Sequence, residues 1–296
     1  MRLTTQLSDL QVAEIKRLAE ENRLALGFVN TPIAAEIFSV LDKLDITLLQ
    51  LPIESRGDRP AFSAAMIYSR DGDNELVFIG LNSADYYDKQ LFAIAHELYH
   101  FFAKTGSHFS RVDDDATLIE VKANRFAAEF LLPEGALRNV VISEFKTPSL
   151  KGIPTKKLLR FVARLHCTWW LPYPALVRRL KEVDAVSDTQ YEELCAIDAR
   201  SPEGEYWRIG MATNDTVFSM LNRVTRITGT SPKSIEVIIR NFEDNLVDDD
   251  QFAELLELYG KSPRDFGYGY RVAEEDIKEL ETFFGGEMGY EGQPGI

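Results

Sequence analysis

The chain has 296 residues, of which 45% are hydrophobic and 27% are charged, and its formal net charge at pH 7 is −14. This composition supports a sizeable core and argues against general disorder, and the negative charge disfavours non-specific binding of nucleic acid by the whole chain. No apolar run approaches the length of a membrane-spanning helix, the N-terminus lacks an apolar signal core, and Cys167 and Cys195 provide no disulfide framework, which together predict a cytoplasmic protein.

The first part of the chain predicts two helices followed by three strands. Apolar residues near helical spacing indicate a helix over residues 7–24. Thr31 followed by Pro32 is typical of a capped helix start, which predicts a second helix ending near Leu44. Short runs rich in β-branched and apolar residues then predict strands at 45–53, 61–70 and 75–82. The sequence Asp-Gly-Asp-Asn at 71–74 predicts a hairpin turn between the last two strands.

Residues 91–102, LFAIAHELYHFF, form an apolar segment that contains the pattern H-E-x-x-H. On an α-helix residues i and i+4 share a face, so His96 and His100 can offer two imidazoles to one metal ion. Glu97 points to the side of that pair, where it can take a proton from water at the metal. The preceding strands suit a zinc peptidase, in which an edge strand binds extended substrate by strand addition. The alternative is a core helix with two hydrogen-bonded histidines, and the motif by itself leaves both open.

A second strong helix is predicted over residues 116–133. Its core stripe comprises Ile119, Ala123, Phe126, Ala127 and Phe130. Glu120 lies beside that stripe, 20 residues after His100 (120 − 100), and Asn124 is one turn further on. On its own Glu120 is best interpreted as a solvated acid on a helix face. With the histidine pair at this separation it becomes the candidate third ligand, because two histidines and one carboxylate form a known catalytic zinc set. The three aspartates at 113–115 are interpreted as a solvated loop that donates the helix cap.

The two helices together resemble the ImmA/IrrE family of metallopeptidases. The family signature is an H-E-x-x-H helix followed by a segment close to E-x-x-A-N-x-F-A-A-x-L-L-x-P, and this chain carries HELYHFF and then EVKANRFAAEFLLP. The segments PAFSAAM, VFIGLN and TPIAAEIFSVLDKLDITLLQLP are also similar to the family's strands and N-terminal helix, so the resemblance spans about residues 30–135. It implies an α+β fold: a zincin-like core of a small sheet, the H-E-x-x-H helix and a second ligand-bearing helix, followed by a mostly helical C-terminal region.

Carried over position by position, the resemblance also implies a zinc site. Its members are the Zn²⁺ ligands His96, His100 and Glu120, the catalytic base Glu97 and the supporting residue Asn124, which orients the first histidine. The chain departs from the family at Tyr99, where many members carry a small residue, and at Lys122, where members often have a second acid. Neither departure removes a ligand.

The resemblance implies a zinc-dependent endopeptidase with a narrow substrate range. Its expected substrate is a protein regulator, a helix-turn-helix repressor or an antitoxin, cleaved in a stress or mobile-element response, and the acidic surface would suit a basic partner of that kind. The alternative is a non-proteolytic toxin–antitoxin or regulatory component that acts by binding a protein partner. The intact Glu97 argues against this alternative, because a purely structural zinc needs no general base.

Residues 156–166 and 174–183 predict two amphipathic helices, and the short turn CTWWLPY makes the pair similar to a helix-turn-helix unit. Residues 151–185, here called the basic island, hold eight Lys and Arg against two acids, a net charge of +6 (8 − 2). The island could contact DNA phosphates, or its charges could be solvated while its helices pack on the catalytic domain. We favour packing because no base-reading signature is present, and we expect His166 to be a helix-end residue rather than a hydrogen-bond donor in the reaction.

The C-terminal third is acidic and predominantly helical. Two helices split at 229–232 are predicted, followed by a helical hairpin with aspartate caps at 248–250 and an end at Gly260, and by a last helix at 274–284. Together these patterns predict a zincin-like metallopeptidase domain at 1–150, a helix-turn-helix-like segment at 151–190 and an acidic helical region at 191–296.

Overall fold

A computed structural model describes residues 6–54, 62–71, 74–104, 108–110 and 118–269. The chain divides into two compact units, Met1–Val237 and Ile238–Ile296. Residues 151–190 lie within the first unit, and the three-part division expected from the sequence stays a prediction. In the second unit the stacked rings of Phe242 and Phe252 lie 4.1 Å apart between centroids.

The described residues form eleven α-helices and five β-strands. The helices are α1 (Asp9–Ala25), α2 (Ile37–Lys43), α3 (Tyr87–Ala103), α4 (Leu118–Leu131), α5 (Glu134–Phe145), α6 (Thr155–Trp169), α7 (Tyr173–Glu182), α8 (Asp188–Cys195), α9 (Glu205–Leu221), α10 (Pro232–Glu243) and α11 (Asp249–Glu257). The strands are β1 (Ile46–Leu51), β2 (Ala64–Asp71), β3 (Asn74–Asn82), β4 (His108–Ser110) and β5 (Gly229–Thr230). A small sheet with a mostly helical C-terminal region confirms the predicted α+β class.

The five strands form one sheet in the order β4-β2-β3-β1-β5. β2 and β3 are antiparallel, as the predicted hairpin requires, whereas β1 runs parallel to β3. β3, which directly precedes α3, is therefore an interior strand between β2 and β1. Within the described part of the chain β4 covers one edge of β2 only along Ala64–Met66, which leaves the rest of that edge open. Open strand edges present unpaired backbone groups to a further strand.

One face of the sheet packs against α2 and α3. Side chains alternate between the two faces of a strand, so one set of alternating residues is buried here. Ala64, Met66, Ile79 and Leu81 of this set are at most 1% exposed. On the opposite face, by contrast, Ile67 is 37% exposed. Burial of each large aliphatic side chain contributes about 1.5–3 kcal/mol, so the packed face holds α3 firmly against the sheet.

α4 packs along α3 through aromatic side chains. The ring of Phe126 lies 5.9 Å from that of Phe102 and 5.4 Å from that of Phe130. The predicted core stripe of α4 is buried apart from Ile119, which is 42% exposed, so that part of the prediction was wrong. The buried stripe instead continues towards the N-terminus through Glu120, which lies one turn before Ala123 and is only 2% exposed. The same packing that buries the aromatic residues thus turns Glu120 towards α3.

Helix starts follow local capping rules in some places only. Ser8 caps α1 in a capping box, and Asp248 caps α11 in the same way, as its aspartates predicted. The cap predicted at Thr31-Pro32 was wrong, because a short 3₁₀ turn at Ala34–Glu36 leads into α2 with no side-chain cap. Ile33 is completely buried there, so core packing rather than capping sets the start.

Two predicted features, the aspartates at 113–115 and the last helix at 274–284, lie outside the described residues. No helix in the described ranges is both long and apolar enough to cross a lipid bilayer.

The two predicted helices of the basic island are present as α6 and α7, joined by a turn at 170–172, and α8 packs against both. α8 was not predicted from the sequence because it has only 8 residues and is largely polar. Among the described residues, five of the eight basic side chains of the island form ion pairs: Lys151 with Asp184, Lys156 with Glu205, Arg164 with Glu144, Arg179 with Glu129 and Glu182, and Lys181 with Asp188. Most of the island's positive charge therefore faces acids of the same chain.

The segment between α9 and α10 returns to the sheet. β5 pairs antiparallel with β1, and Ser231 Oγ accepts a hydrogen bond from the backbone N–H of Leu48 at 2.8 Å. The Thr230 hydroxyl donates to the carbonyl oxygen of Leu48 at 2.9 Å. The predicted split at 229–232 lies between α9 and α10, and its first two residues form the edge strand β5. Its two residues carry too weak a pattern to be recognised from sequence.

Candidate metal centre

α3 carries the H-E-x-x-H residues in its buried middle. His96 is 6% exposed, and Glu97 and His100 are completely buried. The two imidazole rings lie 5.4 Å apart between centroids, as their separation of four residues on one helix requires. Both histidines therefore lie on the face of α3 that meets α4.

α4 places Glu120 between the two histidines. Glu120 Oε2 lies 3.2 Å from His96 Nε2, and Glu120 Oε1 lies 3.8 Å from His100 Nε2. One ligand atom from each residue lies within 4.8 Å of the others. Tetrahedral zinc binds nitrogen and oxygen at about 2.0–2.2 Å, so neighbouring ligand atoms should be about 3.4 Å apart. The observed spacing and the donor set both fit a divalent metal of this kind.

Asn124 holds the ring of His96 in position from one turn further along α4. The distance from His96 Nδ1 to Asn124 Oδ1 is 3.0 Å. Because an amide oxygen only accepts hydrogen bonds, this contact requires the proton of the neutral imidazole to be on Nδ1. The lone pair of Nε2 is then directed to the side where Glu120 lies, as metal binding needs.

The electrostatics of the cluster favour positive charge. Burial of the His96 imidazole lowers its pKa, but the hydrogen bond to Glu120 and the charges of Glu97 and Glu120 outweigh burial, so the pKa of His96 is raised. A site that stabilises a proton in this way also stabilises a metal cation, and the two compete. Metal binding is therefore expected to displace a proton from this cluster.

Tyr68 of β2 is a further residue near this site that the sequence interpretation missed. Met66 lies two residues before Tyr68 in β2, so the two side chains share one face of the sheet. Met66 is buried, and this face packs against α3. Burial raises the pKa of the Tyr68 phenol, and the charges of Glu75 and Glu97 raise it further. The influence of Glu97 places the phenol within electrostatic reach of the glutamate in the motif. The alternation of side chains along β2 was the signal that could have identified it.

Tyr99, which departs from the family pattern, packs beside the cluster. Its ring lies 5.7 Å from the ring of His100 and 5.7 Å from that of Phe126, and it is 7% exposed. The bulky side chain of Tyr99 therefore fills the space between His100 and the aromatic core. The three candidate ligand atoms still lie close enough together to bind one metal ion.

A buried ionic cluster holds the start of α3. Asp88 is completely buried, and one guanidinium nitrogen of Arg200 lies 2.5 and 2.7 Å from its two carboxylate oxygens. Burial raises the pKa of Asp88, but the hydrogen bond from His166 and the charge of Arg200 outweigh it, so the pKa is lowered. His166 contacts Asp88 at 3.0 Å and the Tyr206 hydroxyl at 3.1 Å. His166 lies in the last turn of α6, as expected, and its two ring nitrogens contact Asp88 and Tyr206.

The arrangement of α3 and α4 agrees with a comparison to known families. Residues 41–146 match the model of the IrrE N-terminal-like domain, Peptidase_M78. A comparison with curated proteins gives no match. The matched residues begin within α2, end just after α5 and include both helices of the metal cluster. This match over residues 41–146 confirms the resemblance to the ImmA/IrrE family of metallopeptidases, and the cluster of His96, His100 and Glu120 lies within the matched residues.

Proposed function

We propose that this protein is a zinc-dependent endopeptidase that cleaves a protein regulator. The observation that carries the proposal is the convergence of His96, His100 and Glu120, with the buried Glu97 next to the first of them. Two histidines and a glutamate form a known catalytic zinc set, whereas structural zinc sites are built mainly from cysteine and histidine. When bound, the metal ion supplies Lewis acidity that lowers the pKa of water and polarises a carbonyl group.

Glu97 acts as the general base in this proposal. Its carboxylate accepts a proton from the attacking water while the water oxygen forms a bond to the scissile carbonyl carbon. The protonated Glu97 then gives that proton to the amide nitrogen as the C–N bond breaks, so that the products are a carboxylic acid and an amine. Complete burial keeps bulk water from Glu97, which strengthens its electrostatic interactions with the reacting groups.

Tyr68 is the proposed donor to the oxyanion that forms during the attack. Because burial and the charges of Glu75 and Glu97 raise its pKa, its hydroxyl keeps its proton at neutral pH and can donate a hydrogen bond. The edge of β2 beyond Met66, with which no described residue pairs, would pair with an extended segment of substrate, and the same strand carries Tyr68. This would place the scissile bond along the same strand as the donor.

The proposed substrate is a DNA-binding repressor or an antitoxin, cleaved in a stress or mobile-element response. The support is the family resemblance together with the net charge of −14, which complements a basic partner.

In this proposal the basic island packs within the chain rather than on DNA, because five of its eight cations already pair with acids. A gel shift that depends strongly on salt would contradict that assignment. The two free cysteines suit a cytoplasmic protein.

Two variants of the full-length protein test the proposal. Glu97→Gln should keep its bound zinc but lose at least about 100-fold in cleavage of a co-encoded regulator. Glu120→Ala should lose both zinc and cleavage, whereas Glu205→Ala, which removes an exposed acid on α9, should retain both. Zinc content is measured by mass spectrometry of dialysed protein and cleavage by gel electrophoresis. Full zinc content in Glu120→Ala would disprove the ligand assignment, and an intact regulator after incubation with zinc-loaded protein would disprove the substrate assignment.

The rival function is a non-proteolytic regulatory or toxin–antitoxin component that binds a protein partner. It predicts stable partner binding by the zinc-loaded protein with no cleavage. The complete burial of Glu97 disfavours this function, because a buried carboxylate is costly to maintain and a purely structural metal needs no general base.

A further inference from the structure

A cavity of about 280 Å³ lies between the sheet and the segment that precedes α10. Its apolar walls include Phe38 and Leu41 of α2, Leu48 of β1 and Ile227. None of the residues that line it belongs to the metal cluster of α3 and α4. An apolar cavity of about 150 Å³ is large enough to bind benzene, so this one can accept a single ring with a short polar arm.

Three polar side chains on the cavity wall have no partner in the chain as far as it is described. They are the carboxylate of Asp42, the amide of Gln50 and the hydroxyl of Tyr87. Burial raises the pKa of Tyr87, so its hydroxyl is protonated at neutral pH. The neighbouring acid Asp45, by contrast, pairs with Lys233. Asp42 is exposed to solvent, so its carboxylate attracts a cation with the modest strength of an exposed ion pair, and the amide and hydroxyl add hydrogen-bonding capacity.

We propose that this cavity binds a small amphiphile with an aromatic body and a positively charged amine head group. The aromatic body contacts the apolar walls, the ammonium group pairs with Asp42, and Gln50 and Tyr87 provide further hydrogen bonds. Tyr87 is the first residue of α3, so the occupant also contacts the helix that carries the two histidines. The proposal is independent of the peptidase activity, because it involves no residue of the metal cluster.

Three probes of similar size and different charge test the head-group chemistry. Benzylamine, benzyl alcohol and benzoate are titrated into isotopically labelled, zinc-loaded full-length protein, and backbone amide shifts are recorded. Benzylamine should produce saturable shifts at Leu48 and Thr230, with a Kd on the order of 1 mM for so small a ligand. It should bind about two- to five-fold more tightly than benzyl alcohol, as expected for an exposed ion pair, and benzoate should bind most weakly. Equal affinities for the three probes, or shifts at the metal cluster instead, would overturn the proposal.

Three variants locate the binding site. Ile227→Trp, at a position that is 45% exposed, should fill the cavity and abolish the shifts from benzylamine without disturbing the core. Asp42→Asn should abolish the preference for benzylamine over benzyl alcohol. The matched control is Asp45→Asn, because Asp45 lies outside the cavity and has φ +57°, which asparagine tolerates, and it should keep the preference. Binding that survives Ile227→Trp, or a preference that survives Asp42→Asn, would show that the assignment is wrong.

Discussion

Replacement of Asn124 by alanine tests whether the metal site depends on a residue outside the ligand set. The hydrogen bond of 3.0 Å between His96 Nδ1 and Asn124 Oδ1 directs His96 Nε2 towards Glu120. Its loss removes about 1 kcal/mol, and an unsatisfied N–H in a mostly buried ring adds about 1–3 kcal/mol. Part of this free-energy loss destabilises the orientation of the His96 ring that binds metal. We therefore expect the zinc affinity to fall about 10- to 100-fold, or about 1.4–2.7 kcal/mol.

The measurement is a competition titration against a zinc-sensitive chromophoric chelator at neutral pH. Asn124→Asp is the matched control, because an aspartate keeps an oxygen that can accept from His96 Nδ1 and should retain most of the affinity. Thermal unfolding of both variants in excess chelator separates a general loss of stability from a loss of metal binding. Wild-type zinc affinity in Asn124→Ala, or equal losses in the two variants, would refute the proposed role of the hydrogen bond.

Three further predictions concern the surroundings of the site. Asp88→Asn should destabilise the fold by about 2–4 kcal/mol in urea unfolding at pH 7, because Arg200 loses its buried partner. Folding lowers the pKa of Asp88, so the stabilisation by its carboxylate is present above the unfolded pKa and is lost as the pH falls through the folded pKa. The free energy of unfolding should therefore depend less on pH in the acidic range in Asp88→Asn than in wild type. Arg179→Met should cost about 1.5–3 kcal/mol, because the buried Glu129 loses its 2.5 Å contact with Arg179 and keeps Arg125 at 3.6 Å, and a loss below about 0.5 kcal/mol would contradict this. Tyr68→Phe should lower kcat about 100- to 1,000-fold with zinc affinity unchanged, and an unchanged kcat would remove Tyr68 from the mechanism.

Features with local signals were predictable from the sequence. α3 was identified because its apolar periodicity and the spacing of His96 and His100 act within one helix. The hairpin of β2 and β3 was identified because a turn of suitable residues separates two apolar runs. The cap at Asp248 follows from the hydrogen bonding of an aspartate to its own helix. In each case the interacting residues are near neighbours in the chain, so the pattern alone contains the information.

Features that depend on distant residues were missed or predicted wrongly. The strands before α3 were predicted but their order in the sheet was not, and β1 lies beside β3 and makes it an interior strand. The contact of Asp88 with Arg200 joins residues 112 positions apart, and no local pattern indicates it. Ile119 has the correct spacing for a core residue but lies in the first turn of α4, where Glu120 instead faces α3. Strand order and burial are decided by packing between elements, which helical periodicity does not specify.

The sequence by itself determined which residue types are available for the site and the two helices that carry them, because helix formation and the separation of His96 from His100 are local properties. Tertiary packing decided that the carboxylate of Glu120 lies within 3.2 Å of His96, that Tyr68 lies within electrostatic reach of Glu97 and that Asp88 is buried against Arg200. These contacts join residues far apart in the chain. They exist only because burial of apolar surface brings the helices and the sheet together, and that arrangement is a property of the whole fold.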